Sequence, residues 1–183
     1  RYGYPEDHPA LQLGSPFDYR TQAELHLFRQ MPDPTANARA FEEACYAKIQ
    51  EYVTRSRGRA FVLFTNNQTL QRTADRLRDW FDEHGLTLIS QGDGMPSHRM
   101  LEAFRSTERA VLFGVDSFWQ GVDVQGEALS NVIITKLPFV PPDRPLVEAR
   151  GEAIERRGGQ AFVEYSLPQA ILKLKQGFGR LIR

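Results

Sequence analysis

The spacing of apolar side chains divides the chain near residue 59. Residues 1–34 show no sustained period, although a weak alternation over Glu24–Met31 favours a short strand before the prolines that follow. Residues 35–57 repeat apolar positions every three to four residues, which predicts an amphipathic helix that Gly58 ends. Cys45 lies on the apolar stripe of this helix, so we expect a buried structural thiol there.

From residue 59 onward, apolar runs of strand length alternate with helical patterns. The predicted strands are Ala60–Thr65, Leu86–Ser90, Ala110–Val115 and Asn131–Leu137. Asn66 or Asn67 caps the first predicted helix, which buries Leu70, Ala74, Leu77 and Phe81. Ser97 caps the second. Two further helices are predicted at Leu146–Arg157 and Pro168–Ile182. This alternation predicts an α/β domain with a mostly parallel sheet covered by helices. Ligands of such sheets bind beyond the carboxyl ends of the strands, which directs attention to the loops that follow them.

Composition excludes several classes of protein. Lys plus Arg and Asp plus Glu both total 23, so the overall charge gives no argument for nucleic acid. A single cysteine excludes an internal disulfide, a cysteine-based zinc site and a cluster held by four thiolates. No apolar run approaches the roughly 20 residues that a membrane-spanning helix requires.

The sequence also lacks the motifs of a self-sufficient active site. It has no GxxxxGK[ST] phosphate loop, no GxGxxG after a strand, no GxSxG and no HExxH, and its histidines show no metal spacing. Asp82-Glu83-His84 resembles a Walker B box in letters, but it ends a predicted amphipathic helix. We therefore expect it to be a solvated last turn.

Two segments remain unexplained by core packing. The first, residues 114–126, follows a predicted buried strand and holds Phe118 and Trp119, which could stack on bases or pack beneath neighbouring helices. The second is Gln176–Arg183, where helical spacing puts Gln176, Arg180 and Arg183 on one stripe. Two arginine guanidinium groups on one stripe are suited to binding a γ-phosphate. The alternatives are that the basic residues form a solvated helix face and that the glycines serve close packing.

These segments, taken in order, resemble a known family. Phe61–Asn66 resembles motif IV of the family, and Ile89–Gly92 resembles the DNA-facing loop that follows it. Ser117–Asp123 resembles motif V, and Gln176–Arg183 resembles motif VI, QxxGRxxR. A further run typical of the family is similar to Lys136–Phe139, Pro141 and Asp143–Leu146. From Leu13 to its last residue, the chain closely resembles the second RecA-like domain of DinG-type helicases, the bacterial relatives of XPD in superfamily 2.

The resemblance implies a RecA-like three-layer α/β fold, with a mostly parallel sheet and helices on both faces. It implies a lead-in segment at 1–34 and a RecA-like domain at 35–183 that is truncated at its C-terminus. Arg180 and Arg183 would contact the γ-phosphate of ATP, and Gln176, Gly121 and Asp123 would lie near the nucleotide. Single-stranded DNA would meet Thr65, Asn66, Gln91, Gly92, Asp116, Ser117 and Phe118.

The resemblance also implies partners outside this chain. The N-terminal RecA-like domain of the same polypeptide would hold most of the ATP site and its Mg²⁺, and any iron–sulfur cluster would belong to that half. The motor would run 5′ to 3′ in the bacterial cytoplasm, associated with the nucleoid and not with a membrane, and this fragment alone would be inactive. Gln120 and Gln125 depart from the family's usual Glu and Pro. A non-catalytic binding module with the same fold is the alternative, and the missing glycine fingerprint disfavours a free-standing Rossmann-like enzyme.

Overall fold

A computed structural model of the protein describes residues 18–115, 118 and 128–179. The helices in these ranges are α1 (Tyr19–Gln22), α2 (Ala38–Ser56), α3 (Asn67–Glu83), α4 (Ser97–Ser106), α5 (Pro145–Arg156) and α6 (Leu167–Phe178). The strands are β1 (Ala60–Leu63), β2 (Thr87–Ser90), β3 (Ala110–Gly114) and β4 (Asn131–Ile134). A π-helical segment, Phe162–Ser166, leads directly into α6.

The four strands form one parallel sheet in the order β2-β3-β1-β4. Phe61 of β1 is in register with Leu112 of β3 on one side and Val132 of β4 on the other. Because every strand runs the same way, all four carboxyl ends meet at one edge of the sheet. The predicted parallel α/β architecture is confirmed.

Helices cover both faces of the sheet. Alternate residues of β1 belong to two separate core clusters: Val62 packs with Ile49 and Leu70 of α2 and α3, whereas Phe61 packs with Phe104 of α4. Every residue of β1 is buried, as expected for a central parallel strand. This is the three-layer RecA-like arrangement that the resemblance implied.

The helix predicted at 35–57 is α2, and side-chain and backbone groups define both of its ends. The Asn37 side chain accepts a hydrogen bond from Ala40 N at 3.1 Å, which explains the start at Ala38. Gly58 N donates to Val53 O at 3.0 Å beyond the last turn. Gly58 has a φ of +80°, and a Cβ at this position would lie 2.7 Å from the carbonyl carbon of Arg109. Glycine is therefore required here by both conformation and space.

The predicted cap and buried stripe of α3 are confirmed. Asn66 Oδ1 accepts a hydrogen bond from Thr69 N at 2.8 Å. The four predicted apolar residues of the stripe are all buried, namely Leu70, Ala74, Leu77 and Phe81. Asp82, Glu83 and His84 are exposed at the end of the helix, as expected for a solvated turn.

The strand predicted at Glu24–Met31 is wrong, because this segment is irregular and does not join the sheet. His26 and Phe28 contact the ring of Tyr52 in α2, but both remain exposed, as do Leu25 and Leu27. The alternation of apolar residues therefore does not correspond to a buried side of this segment.

Other predictions are wrong at element boundaries. Ser97 begins α4 but does not cap it, because Pro96 occupies the cap position and makes no side-chain hydrogen bond. Strand β4 ends at Ile134, since β1, its partner, ends at Leu63 in the same register. In the part of the chain that the structure describes, no helix is long and apolar enough to cross a membrane.

Candidate functional site

The loops that follow β1 and β2 begin at the carboxyl edge of the sheet. Thr65 and Asn66 follow β1, whereas Gln91 and Gly92 follow β2. Strand β3 lies between these two strands and continues into Val115. Four of the predicted DNA-facing residues are therefore on one edge, in loops from non-adjacent strands.

A side-chain hydrogen bond joins the end of β2 to the end of β3. Gln91 Oε1 accepts from Val115 N at 2.8 Å, and the backbone N of Gln91 donates to Phe113 O at 3.0 Å. The sequence placed Gln91 among the DNA-facing residues but contains no signal for this contact. Its partner is 24 positions away and becomes a neighbour only because β2 pairs with β3.

Phe118 lies in the core. Its side chain is fully buried in the cluster with Phe61 and Phe104, and its backbone N donates to Val115 O at 2.7 Å. The packing alternative is therefore confirmed for this residue, and its ring is not available to stack on a base. The ring fits because residue 114 is glycine: a Cβ there would lie 2.7 Å from Phe118 Cγ.

Asn66 has a local structural role besides the predicted one. Its Oδ1 accepts the capping bond of α3, although the residue as a whole is exposed at the sheet edge. A phosphate contact from Asn66 would use its backbone N–H or its side-chain amide nitrogen, since phosphate oxygens accept hydrogen bonds and require a donor.

Glycine allows the tight turn of the loop after β2. Gly92 has a φ of +115° and Gly94 a φ of +81°, values that favour glycine over any other residue. Asp93 between them lies 3.6 Å from Arg78 of α3, with both side chains about two-fifths exposed. An ion pair of that exposure contributes little stability, so the glycines and the Gln91 contact define the shape of this loop.

Helix α6 carries the first residues of the predicted phosphate-binding stripe. Gln176 is exposed near its end, whereas Gly177 is buried. Phe178 lines a groove along the outer edge of β4, and Thr65 and Lys136 line the same groove. Helix α6 contacts β4, so it packs on the β4 side of the sheet.

Several predicted site residues lie outside the described residues, and their roles stay predictions. They are Asp116, Ser117, Gly121, Asp123, Arg180 and Arg183, together with Trp119 and the departures Gln120 and Gln125. Among the residues that the structure does describe, no group of three or more His, Cys, Asp or Glu side chains could hold a metal ion.

The thiol of Cys45 is half-buried, where the sequence predicted a buried one, and it lines the groove that Thr65 and Lys136 also line. Burial raises the pKa of Cys45 to about 11, with Glu42 adding to the effect. A thiol with so high a pKa carries almost no thiolate at neutral pH, which agrees with the structural role predicted for it.

Comparison with known proteins gives relatives that match nearly the whole chain. ATP-dependent DNA helicase YoaA of Escherichia coli (strain K12) is 40% identical over 178 residues, which are 97% of this chain and 27% of that relative. ATP-dependent helicase DinG of Mycobacterium tuberculosis (strain ATCC 25618 / H37Rv) is 34% identical over 184 residues, covering 100% of this chain and 27% of that relative. A Bacillus subtilis (strain 168) protein named 3'-5' exonuclease DinG is 31% identical over 176 residues, covering 94% and 19% respectively.

These matches confirm the resemblance to DinG-type proteins. This chain spans about a quarter of the length of the first two relatives, in each case as one segment of a longer protein. The sequence profile of the helicase C-terminal domain matches residues 49–183, most of the chain, and the chain therefore belongs to the helicase C-terminal domain family.

Proposed function

We propose that this chain is the second motor domain of an ATP-dependent DNA helicase that moves 5′ to 3′ along single-stranded DNA. The observation that carries the proposal is the grouping of Thr65, Asn66, Gln91 and Gly92 at one edge of a parallel sheet, in a chain of the helicase C-terminal family. Ligands of open parallel sheets bind at that edge.

In this proposal the chain supplies half of the ATP site. Arg180 and Arg183 contact the γ-phosphate and stabilise the charge that develops as it is transferred. Gln176, Gly121 and Asp123 lie beside the nucleotide. The N-terminal RecA-like domain of the same polypeptide supplies the phosphate loop and the acidic residues for Mg²⁺. Any iron–sulfur cluster also belongs to that half, since one cysteine cannot hold it here.

The DNA track uses the carboxyl edge. Thr65, Asn66, Gln91, Gly92, Asp116 and Ser117 meet the strand through its backbone, while Phe118 acts from the core by supporting the loop that carries Asp116 and Ser117. Closure of the two domains on ATP and their release after hydrolysis move the strand by alternating grip. We also propose that the full-length protein is located in the cytoplasm, in association with the nucleoid.

ATP turnover by the full-length protein, with and without single-stranded DNA, tests this function. Arg183→Ala should lower the DNA-stimulated rate by about 10³-fold or more while ATP binding is retained, as for other arginine fingers. Arg156→Ala is the matched control, because Arg156 is a largely exposed arginine on α5 whose partner is Glu152. The isolated 183-residue chain should show no turnover.

Each outcome has a separate meaning. Wild-type protein without any turnover would favour the alternative, a non-catalytic module that binds nucleic acid. Turnover that survives Arg183→Ala unchanged would leave the motor in place but remove Arg183 from the ATP site.

A further inference from the structure

We propose that Gln91 is a positioning residue, whose side-chain carbonyl holds the backbone of Val115 and thereby fixes the end of β3 relative to the loop after β2. The inference rests on the proposed function, since it concerns how the two loops of that site act together. It assigns Gln91 a role that a DNA-facing residue would not need.

The hydrogen bond extends the sheet beyond the end of a strand. Ser90 is in register with Phe113, and Gln91 N donates to Phe113 O, so the β2–β3 ladder is regular up to this point. One further step of a parallel ladder would bring the carbonyl of residue 91 to Val115 N. Strand β2 ends at Ser90 and the chain turns, and the Gln91 side chain supplies the acceptor at 2.8 Å.

Both backbone groups of Val115 are thereby bonded. Its N donates to Gln91, and its carbonyl accepts from Phe118 N at 2.7 Å. Val115 is 8% exposed, so water has little access to replace a lost partner. Removing the Gln91 acceptor would leave the buried amide N–H of Val115 without a hydrogen bond, which costs free energy. We therefore expect this contact to stabilise the position of Val115.

Val115 immediately precedes residues that are proposed to act. Phe118, three residues further on, is buried against Gly114 and donates from its backbone N to Val115 O. Asp116 and Ser117, between them in the sequence, are proposed DNA contacts, and Gly121 and Asp123, which follow, are proposed to lie beside the nucleotide. A shift at Val115 would therefore disturb the coupling between DNA and ATP.

Three variants of the full-length protein separate positioning from direct contact. Gln91→Leu removes the acceptor, whereas Gln91→Glu keeps a carbonyl-type oxygen of the same reach but adds a negative charge that opposes DNA phosphates. Gln68→Leu is the matched control, because Gln68 is exposed in the first turn of α3 near the same edge.

The first readout is amide hydrogen exchange of a peptide that contains Val115. Gln91→Leu should accelerate its exchange by between about two- and tenfold, the range that one lost hydrogen bond gives. Gln91→Glu should restore the wild-type rate, and Gln68→Leu should leave it unchanged.

The second readout is ATP turnover. In Gln91→Leu the DNA-stimulated kcat should fall by at least about tenfold, as expected when active groups are misplaced, while the KM for ATP without DNA stays the same. Gln91→Glu should recover kcat at saturating DNA. A residue that served only as a DNA contact would show the reverse, with normal exchange in the leucine variant and weakened DNA binding in both.

Three results would overturn the inference: unchanged exchange in Gln91→Leu, failure of Gln91→Glu to restore it, or altered exchange with an unaltered DNA-stimulated kcat. Wild-type protein that shows no DNA-stimulated turnover would instead overturn the proposed function. The exchange comparison would still decide whether Gln91 holds the loop.

Discussion

Gly114 should be intolerant of even one methyl group. It is the last residue of β3, and a Cβ built on it would lie 2.7 Å from Cγ and 2.8 Å from Cβ of Phe118. These atoms are next to the backbone of Phe118, so a simple rotation of the ring does not relieve the contact. The ring is itself fully buried and has no free space to enter.

The expected loss of stability for Gly114→Ala follows from two opposing terms. Overpacking a well-filled core costs about 1–3 kcal/mol. The lower entropy of the unfolded alanine chain returns about 0.4–1 kcal/mol, because the φ of Gly114 is not in the left-handed region. With mid-range values of both terms, the net expectation is a loss of about 1.3 kcal/mol in the free energy of unfolding.

Urea unfolding, followed by circular dichroism, measures this loss. With an m value of about 2 kcal/mol per molar, the midpoint should fall by about 0.5–1 M. Gly151→Ala in α5 is the matched control, since its Cβ would lie 3.5 Å from Ala161 Cβ, an ordinary contact. That substitution should stabilise the chain by about 0.5–1 kcal/mol, the helix-interior preference for alanine.

A double-mutant cycle identifies the cause. Phe118→Ala alone should cost about 3–5 kcal/mol as a buried aromatic truncation. In the Phe118→Ala background, Gly114→Ala should cost at least about 0.5 kcal/mol less, because the ring atoms it meets, Cγ at 2.7 Å and Cδ2 at 2.8 Å, have gone and only Cβ remains. Strict additivity, or a Gly114→Ala variant as stable as the wild type, would refute the packing argument.

Three further predictions concern other parts of the fold. Asn66→Ala should lower the free energy of unfolding by about 1 kcal/mol through loss of the α3 cap, while Asn66→Asp should preserve it; equal losses in thermal or urea melts would contradict the capping role. Gly58→Ala should destabilise by more than about 1 kcal/mol, because the new Cβ meets the Arg109 backbone at a positive φ, and an unchanged urea midpoint would contradict this. Cys45, whose pKa is raised to about 11, should be alkylated by iodoacetamide at pH 8 about a hundredfold more slowly than in urea-unfolded protein. Because the pKa is raised in the folded state, the contribution of Cys45 to stability is complete below about pH 9 and is lost as the pH rises toward 11. Alkaline melts, with Cys45→Ala as the control, would reveal this loss.

The sequence by itself determined the four strands of the sheet and the positions of the helices from α2 onward, but not the irregular segment at Glu24–Met31. Every strand of the sheet begins within one residue of its predicted start, because a buried parallel strand must be a short apolar run between polar loops. The buried stripe of α3 and a cap at Asn66 or Asn67 were also predicted from the sequence, since capping and helical periodicity act within a few residues. The family motifs could also be recognised from the sequence, because each is a short, contiguous run of residues.

Tertiary structure decided everything that depends on which strands become neighbours. From the sequence, Phe118 could either stack on bases or pack in the core. Its ring packs in the core because Gly114 has no side chain to occupy that space. Glu24–Met31 alternates like a strand but meets the side chains of α2 in place of a backbone partner. Gln91 reaches Val115 because the strand order brings the ends of β2 and β3 together. Local patterns record which face of a segment is buried, whereas the partner that covers it is selected by the packing of the whole chain.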